Sequence, residues 1–235
     1  MAEKNTVALV PAYNEETRIS SVLEVIVSSS LVNEIIVIDD GSRDGTAGKA
    51  SSFPVQILRS EENKGKGAAL QWGIDAAPDA DYFLFLDADL LNFKPSHIEN
   101  LLAPLLENEK VDMTIGVFRS GKKESVNLAQ HYFSILNGQR ALRRDFIDIL
   151  PDLTWSRFGV EILLTKYAQL AGKIVTYPEL QGISHVTKEE KLGFWGGTSY
   201  RLQMYNECLY SLFHHRRMIR LFPGRVPSEI LKTIG

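Results

Sequence analysis

A single cysteine, Cys208, stands in the 235 residues, so no disulfide framework is available to the chain. Charge of either sign is scarce in excess: 26 Lys+Arg stand against 29 Asp+Glu, a formal net charge of −3. A nucleic-acid-binding domain usually carries a strong basic surplus, and none is present here. Long apolar runs are missing as well. The strongest, Tyr82 to Leu86, is broken at once by Asp87 and Asp89, far short of the roughly 20 residues of a membrane span. The start, Met1 to Thr6, lacks the apolar stretch of about 7–15 residues that a secretory leader needs. A cytoplasmic protein with no membrane span and no nucleic-acid partner is therefore expected. Neither an internal repeat nor a low-complexity linker interrupts the chain, and its 44% hydrophobic and 23% charged residues suit one globular domain over 1–235.

What is present alternates between two periods. Val7 to Val10, Ile35 to Ile38, Val55 to Leu58 and Tyr82 to Leu86 are short apolar runs rich in β-branched or aromatic residues. Helical spacing separates them, at Ile19, Val22, Leu23 and Ile26, and again over Ala68 to Ala76. Continuous apolar strands joined by helices predict an α/β fold with a mostly parallel central sheet flanked by helices. A helix from Pro95 to Leu106 and a strand over Val111 to Phe118 complete the first half, 1–118. The second half, 119–235, predicts a polar loop over Ser120 to Ser125 and a helix over Val126 to Leu136. It continues with a helix over Phe158 to Ala171, a strand over Ile174 to Tyr177 and a terminal helix over Tyr200 to Phe213.

Three polar clusters follow predicted strands, where open α/β sheets bind ligands. Pro11-Ala12-Tyr13-Asn14-Glu15-Glu16 reads most simply as a helix start, with Asn14 as N-cap. In Asp39-Asp40-Gly41-Ser42-Arg43-Asp44-Gly45-Thr46, a turn and a capped helix account for the glycines and Thr46. They leave the adjacent carboxylates Asp39 and Asp40 unexplained. In Asp87-Ala88-Asp89, alternate carboxylates can share one face, an arrangement that calls for a cation. A glycine-rich turn, Asn63-Lys64-Gly65-Lys66-Gly67, offers Lys64 or Lys66 to an anion at a helix start.

In this order the clusters resemble glycosyltransferase family 2, nucleotide-sugar enzymes of the GT-A fold. The resemblance is strong over the first hundred residues and weaker to about Trp195. It implies a nucleoside diphosphate sugar donor, UDP-linked first and GDP-linked second, held by Pro11, Ala12, Tyr13, Asn14, Glu15, Asp40, Gly41, Ser42, Lys64, Lys66, Asp87 and Ala88. Within that set, Tyr13 and Asp40 face the base and Asp87 the ribose. Asp89 is implied to hold Mg²⁺ or Mn²⁺ against the diphosphate.

Phe158-Gly159-Val160-Glu161-Ile162 and His185 resemble the glucosyl-3-phosphoglycerate synthase branch of that family. There a downstream histidine joins the second Asp of D-x-D at the metal, which points to His185 beside Asp89. Glu161 is then a second catalytic carboxylate facing the sugar. The stretch Lys123-Glu124-Ser125-Val126-Asn127 departs from that branch's anion-holding segment, because Glu124 repels an anionic acceptor. Gly138-Gln139-Arg140-Ala141-Leu142-Arg143-Arg144 resembles the dolichyl-phosphate sugar transferases, with Arg140 as an acceptor contact. A small soluble acceptor, phosphorylated or hydroxylated, is the expectation; a polyprenyl-phosphate acceptor is the alternative, with Phe194, Trp195 and Tyr200 as its apolar surface. An inactive nucleotide-binding module is the rival from another class. A nucleotidyltransferase fits poorly, since Pro11 to Glu16 has no glycine. The basic stretch ending at Arg220 reads first as a helix docked on the core with a solvated end, and a peripheral membrane contact is the alternative.

Overall fold

The alternation of core faces begins in β1 (Thr6–Ala12), whose side chains are sorted by parity. Val7 and Leu9 pack with Ile36, Ile38, Phe83 and Phe85 on one face of the sheet. Ala8 and Val10 pack with Val37 and Leu84 on the other. In this computed structural model, residues 4–119, 136–185 and 206–234 are described, His185 by its backbone alone. The expected loop over 120–125, nearly all of the expected helix over 126–136, and Phe194, Trp195 and Tyr200 lie outside the described residues.

The main sheet has seven strands in the order β3-β2-β1-β4-β8-β6-β9. They are β2 (Glu34–Asp39), β3 (Gln56–Arg59), β4 (Tyr82–Phe85), β6 (Met113–Ile115), β8 (Arg140–Arg143) and β9 (Val175–Thr176), with β1. Pairs β1–β2, β1–β4, β2–β3 and β6–β9 are parallel, while β8 runs antiparallel between β4 and β6. The sheet is thus mostly parallel, as its apolar runs predict. Because β2 and β3 extend from one side of β1 and β4 lies on the other, the order reverses between β1 and β4. In open α/β sheets such a switch point opens a crevice at the carboxyl ends of the strands.

Helices cover both faces. On one side lie α1 (Ile19–Val27) and α4 (Pro95–Glu107), buried through Ile19, Val22, Leu23, Ile26, Ile98, Leu101, Leu102 and Leu105. Helix α3 (Lys66–Ala76) and a later helix, Val160–Leu170, cover the other. Between α1 and α3, α2 (Thr46–Ala50) is one short turn of helix. After β8 come α5 (Arg144–Ile147), a 3-10 turn over Thr154–Gly159, and α6 (Val160–Leu170). Residues 206–221 form α7, and α8 (Ser228–Thr233) ends the described chain.

Three expectations change. The strand over Val111 to Phe118 divides at Gly116, and β7 (Val117–Arg119) leaves the main sheet to pair with β10 (Glu179–Gln181). The terminal helix runs on to residue 221 rather than stopping at Phe213. Asn14 does not cap a helix: α1 starts at Ile19, and Asn14 takes φ of 56°. Its side chain is used elsewhere, as the site shows.

Candidate active site

The loops after β1 and β2 are laced together by side-chain bonds to backbone amides. Asn14 donates its amide to Ser42 Oγ at 2.9 Å, and its own Oδ1 accepts the Arg43 amide at 2.9 Å. The Glu15 amide donates to Thr46 Oγ1 at 2.8 Å, and Glu16 Oε2 accepts the Gly45 amide at 3.0 Å. These bonds hold the first cluster in a loop, which explains why helix formation is delayed to Ile19. Pro11 is half-buried and Ala12 buried in the floor, while Tyr13 stays 37% exposed at the crevice rim.

Both carboxylates of the Asp39-Asp40 pair have separate tasks. Asp39 Oδ1 accepts the Ser42 amide at 2.9 Å across a turn in which Gly41 has φ of 79°. Its other oxygen lies 3.3 Å from Arg59 Nε. Asp40 reaches the other way, accepting the Lys64 and Gly65 amides at 2.8 Å each. Burial raises the Asp40 carboxyl pKa against the opposing pull of these two amides and of Arg157. Asp40 therefore fixes the glycine-rich turn directly. Gly65 takes φ of 94°, and a Cβ there would stand 3.1 Å from Arg157 Cβ and Cγ.

That turn delivers Lys66 into the crevice and leaves Lys64 exposed. The Lys66 ammonium donates to Asp87 Oδ1 and, at 2.6 Å, to Glu161 Oε1. Burial alone would lower its pKa, but the charges of Asp87 and Glu161 outweigh it and hold the ammonium above the usual lysine range. Glu161 sits in the first turn of α6, only 8% exposed. Asp87 accepts a further bond from Gln139 Nε2 at 2.8 Å. Ala88 is buried and Asp89 half-buried beside it.

Strand β5 (Leu90–Leu91) continues from Asp89 and pairs antiparallel with β11 (Ser184–His185), His185 lying opposite Leu90. The backbone of His185 is thereby one register step from Asp89, although 96 positions separate them in sequence. The His185 side chain lies outside the described residues. Among those described, no three His, Cys, Asp or Glu groups already converge on one point. The Asp89 carboxylate is an oxygen ligand of the kind Mn²⁺ and Mg²⁺ take, and the backbone pairing sets position 185 next to it in register.

Arg140 corrects an expectation. Its side chain is completely buried, with Nε on the Asn137 carbonyl at 2.9 Å and Nη1 on Thr165 Oγ1 at 2.9 Å. Burial lowers its pKa, opposed by Glu161, Tyr177 and Asp87. It underlies the site from the core instead of presenting a surface for an acceptor. Gln139 and Arg157 join the site without having been anticipated. Arg157 has φ of 46° and ψ of −114°, a strained conformation for a side-chain-bearing residue. Its Nε meets Glu207 Oε1 of α7 at 3.2 Å, and the next amide, of Phe158, donates to Glu207 Oε2 at 3.3 Å. Nothing in local sequence spacing marks either residue.

Comparison with known proteins bears on this crevice. The model of glycosyl transferase family 2 matches residues 7–160, which carry both loops, the glycine-rich turn, Asp87 and Asp89. The chain belongs to that family. A glucosyl-3-phosphoglycerate synthase of Mycobacterium tuberculosis is 35% identical over 120 residues, 47% of this chain and 37% of the relative. A dolichyl-phosphate beta-glucosyltransferase of Dictyostelium discoideum is 32% identical over 119 residues, 43% of this chain and 36% of the relative. The matches thus span well under half the length of these curated relatives. Among solved structures, the Mycobacterium tuberculosis glucosyl-3-phosphoglycerate synthase with Mn²⁺, UDP and glucosyl-3-phosphoglycerate superposes with a TM-score of 0.74. It is 25% identical and covers 91% of this chain and 80% of its own. The family 2 chain described here shares its GT-A fold. No described helix is long and apolar enough to cross a membrane.

Proposed function

We propose that this family 2 chain is a metal-dependent glycosyltransferase moving a sugar from a nucleoside diphosphate sugar to a small phosphorylated acceptor. One observation carries the reading. Asp87, Lys66 and Glu161 converge at the β1–β4 switch point, and β11 sets His185 against the turn that carries Asp89. A similar fold is solved with Mn²⁺, UDP-glucose and glycerol 3-phosphate, which supports this donor and acceptor class.

In this reading the nucleotide lies over the laced loops, with Tyr13 covering the base and Asp40, Ser42 and Glu15 lining its polar edge. Asp87 takes the ribose, and Lys66 meets the diphosphate from the glycine-rich turn. Asp89 and His185 would hold Mg²⁺ or Mn²⁺, which supplies positive charge against the departing diphosphate when bound. Glu161 orients the sugar while Lys66 holds its carboxylate in place. The donor half, 1–118, and the acceptor half, 119–235, act as one domain, in the cytoplasm. UDP is the first choice of nucleotide and GDP the second.

The test is a screen of UDP- and GDP-sugars with Mn²⁺ against phosphoglycerate, polyprenyl phosphate and water, the product anomer being read by NMR. Transfer to phosphoglycerate from a UDP-sugar is the expected result. Preferred transfer to polyprenyl phosphate would replace the acceptor. Tight nucleotide binding with no turnover on any acceptor would make the chain a binding module.

A further inference from the structure

Helix α7 has two unlike faces. Its inner face docks on the core through buried Ser211 and Ile219, while Glu207 bonds to Arg157 and the Phe158 amide. Its outer face carries large apolar side chains in the open: Phe213 is 74% exposed, Leu209 50% and Tyr210 46%. At 100° per residue, Leu209, Phe213, Arg216 and Arg220 fall on one stripe, and Arg217 lies beside it. Leu221 and Phe222, 59% and 41% exposed, close the apolar surface at the far end. Along the stripe, apolar Leu209 and Phe213 give way to basic Arg216 and Arg220.

We propose that this face of α7 is a docking surface for an anionic lipid bilayer, with the helix lying in the headgroup plane. Charge chooses the occupant. The chain as a whole is acidic, at −3, yet Arg216 is exposed on this face and Arg217 at its edge. Guanidinium groups bind phosphate oxygens in a bidentate fork, and lipid headgroups present such oxygens in a dense plane. Aromatic and leucine side chains flanking basic ones are the composition of interfacial helices. Arg220 also donates to the Ile234 carbonyl at 2.8 Å, which leaves Arg216 and Arg217 as the principal headgroup contacts. Since Glu207 ties α7 to the turn preceding Glu161, a docked helix would hold the crevice at a fixed height above the lipid. This inference does not depend on which acceptor the enzyme uses.

Vesicle sedimentation with the full chain tests it, using phosphatidylcholine alone and phosphatidylcholine mixed with phosphatidylglycerol. Co-sedimentation with the anionic vesicles only, weakened by added salt, is expected. Arg216→Glu with Arg217→Glu should weaken binding by at least about tenfold, each arginine near an anionic surface contributing on that scale. Phe213→Ser should weaken it similarly. Both variants change exposed side chains and should keep the parent Tm, so lost binding is not lost folding. Absence of co-sedimentation, or binding equal in parent and variants, overturns the proposal. It is overturned too if ultracentrifugation shows a dimer that Phe213→Ser dissolves while the parent ignores vesicles, for then the face belongs to a second copy.

Discussion

Lys66 donates its ammonium to Asp87, joining the first residue of α3 to the turn that ends β4. The same nitrogen holds Glu161 from α6 at 2.6 Å, so one cation ties three separate segments at the crevice. Each of the three side chains is at most 20% exposed. Removing the cation leaves two carboxylates facing each other with little water to screen them.

Lys66→Met should therefore destabilise the fold by about 3 kcal/mol in urea unfolding at neutral pH. Adding Glu161→Gln should recover part of that loss. The pH dependence has a definite sign. Lys66 has its pKa raised in the folded state, so its stabilisation is fully present below the unfolded lysine value of about 10.4. Stability from this group should decline as pH rises beyond that value toward the folded one. A Lys66→Met protein as stable as the parent at pH 7 would show that the three-way contact contributes nothing.

Gly138 is the close neighbour of this cluster. A Cβ there would press on the Lys66 ammonium and stand 2.6 and 2.7 Å from the Asp87 oxygens. Gly138→Ala should displace Asp87 and weaken UDP binding by about tenfold, a change of about 1.4 kcal/mol. Tm should shift by only a few degrees, because the displaced groups line a crevice. Unchanged UDP affinity by calorimetry would remove Asp87 from the nucleotide site.

Arg140 separates a structural arginine from a substrate-binding one. Arg140→Met should cost about 3 kcal/mol of stability, since the Thr165 hydroxyl and the Asn137 carbonyl lose a buried partner. In protein kept folded at low temperature, acceptor KM should remain that of the parent. A KM raised severalfold with stability intact would restore the acceptor role.

The clusters of the first half are legible because their chemistry is local. Short continuous apolar runs end in polar clusters, and the strand order β2-β1-β4 gathers those clusters at one crevice. Asp39 with Asp40 signalled more than a turn, and the structure supplies the reason in two sets of backbone amides. Asn14 misled because a capping residue and an amide-lacing residue look alike in sequence; the partner, Arg43, lies 29 positions away. Arg140 misled for a similar reason. Sequence gives the charge but not its burial, which depends on β8 being inserted between β4 and β6. Gln139 comes to Asp87, and Arg157 to Gly65, only through tertiary packing, so no spacing rule could find them.

Cys208 offers a probe of the α7 contact. Burial pushes its thiol pKa up to about 11, and the charges of Glu161 and Glu207 add to the effect. Alkylation by iodoacetamide at neutral pH should be on the order of a hundredfold slower than for a free thiol of pKa about 8.5. The rate should climb with pH up to about 11. As the chain's one cysteine, it reports without interference. Fast labelling at neutral pH would show that α7 does not pack against Phe158 as described.

The proposed metal-dependent donor site is tested most directly by calorimetry of UDP with and without Mn²⁺, in the parent, Asp87→Ala and Asp89→Ala proteins. Mn²⁺ should strengthen UDP binding to the parent, and Asp89→Ala should abolish that gain by deleting a charged oxygen ligand. Asp87→Ala should weaken UDP binding while keeping most of the Mn²⁺ gain. An Asp89→Ala protein that binds UDP with the parent's full Mn²⁺ dependence would contradict the account.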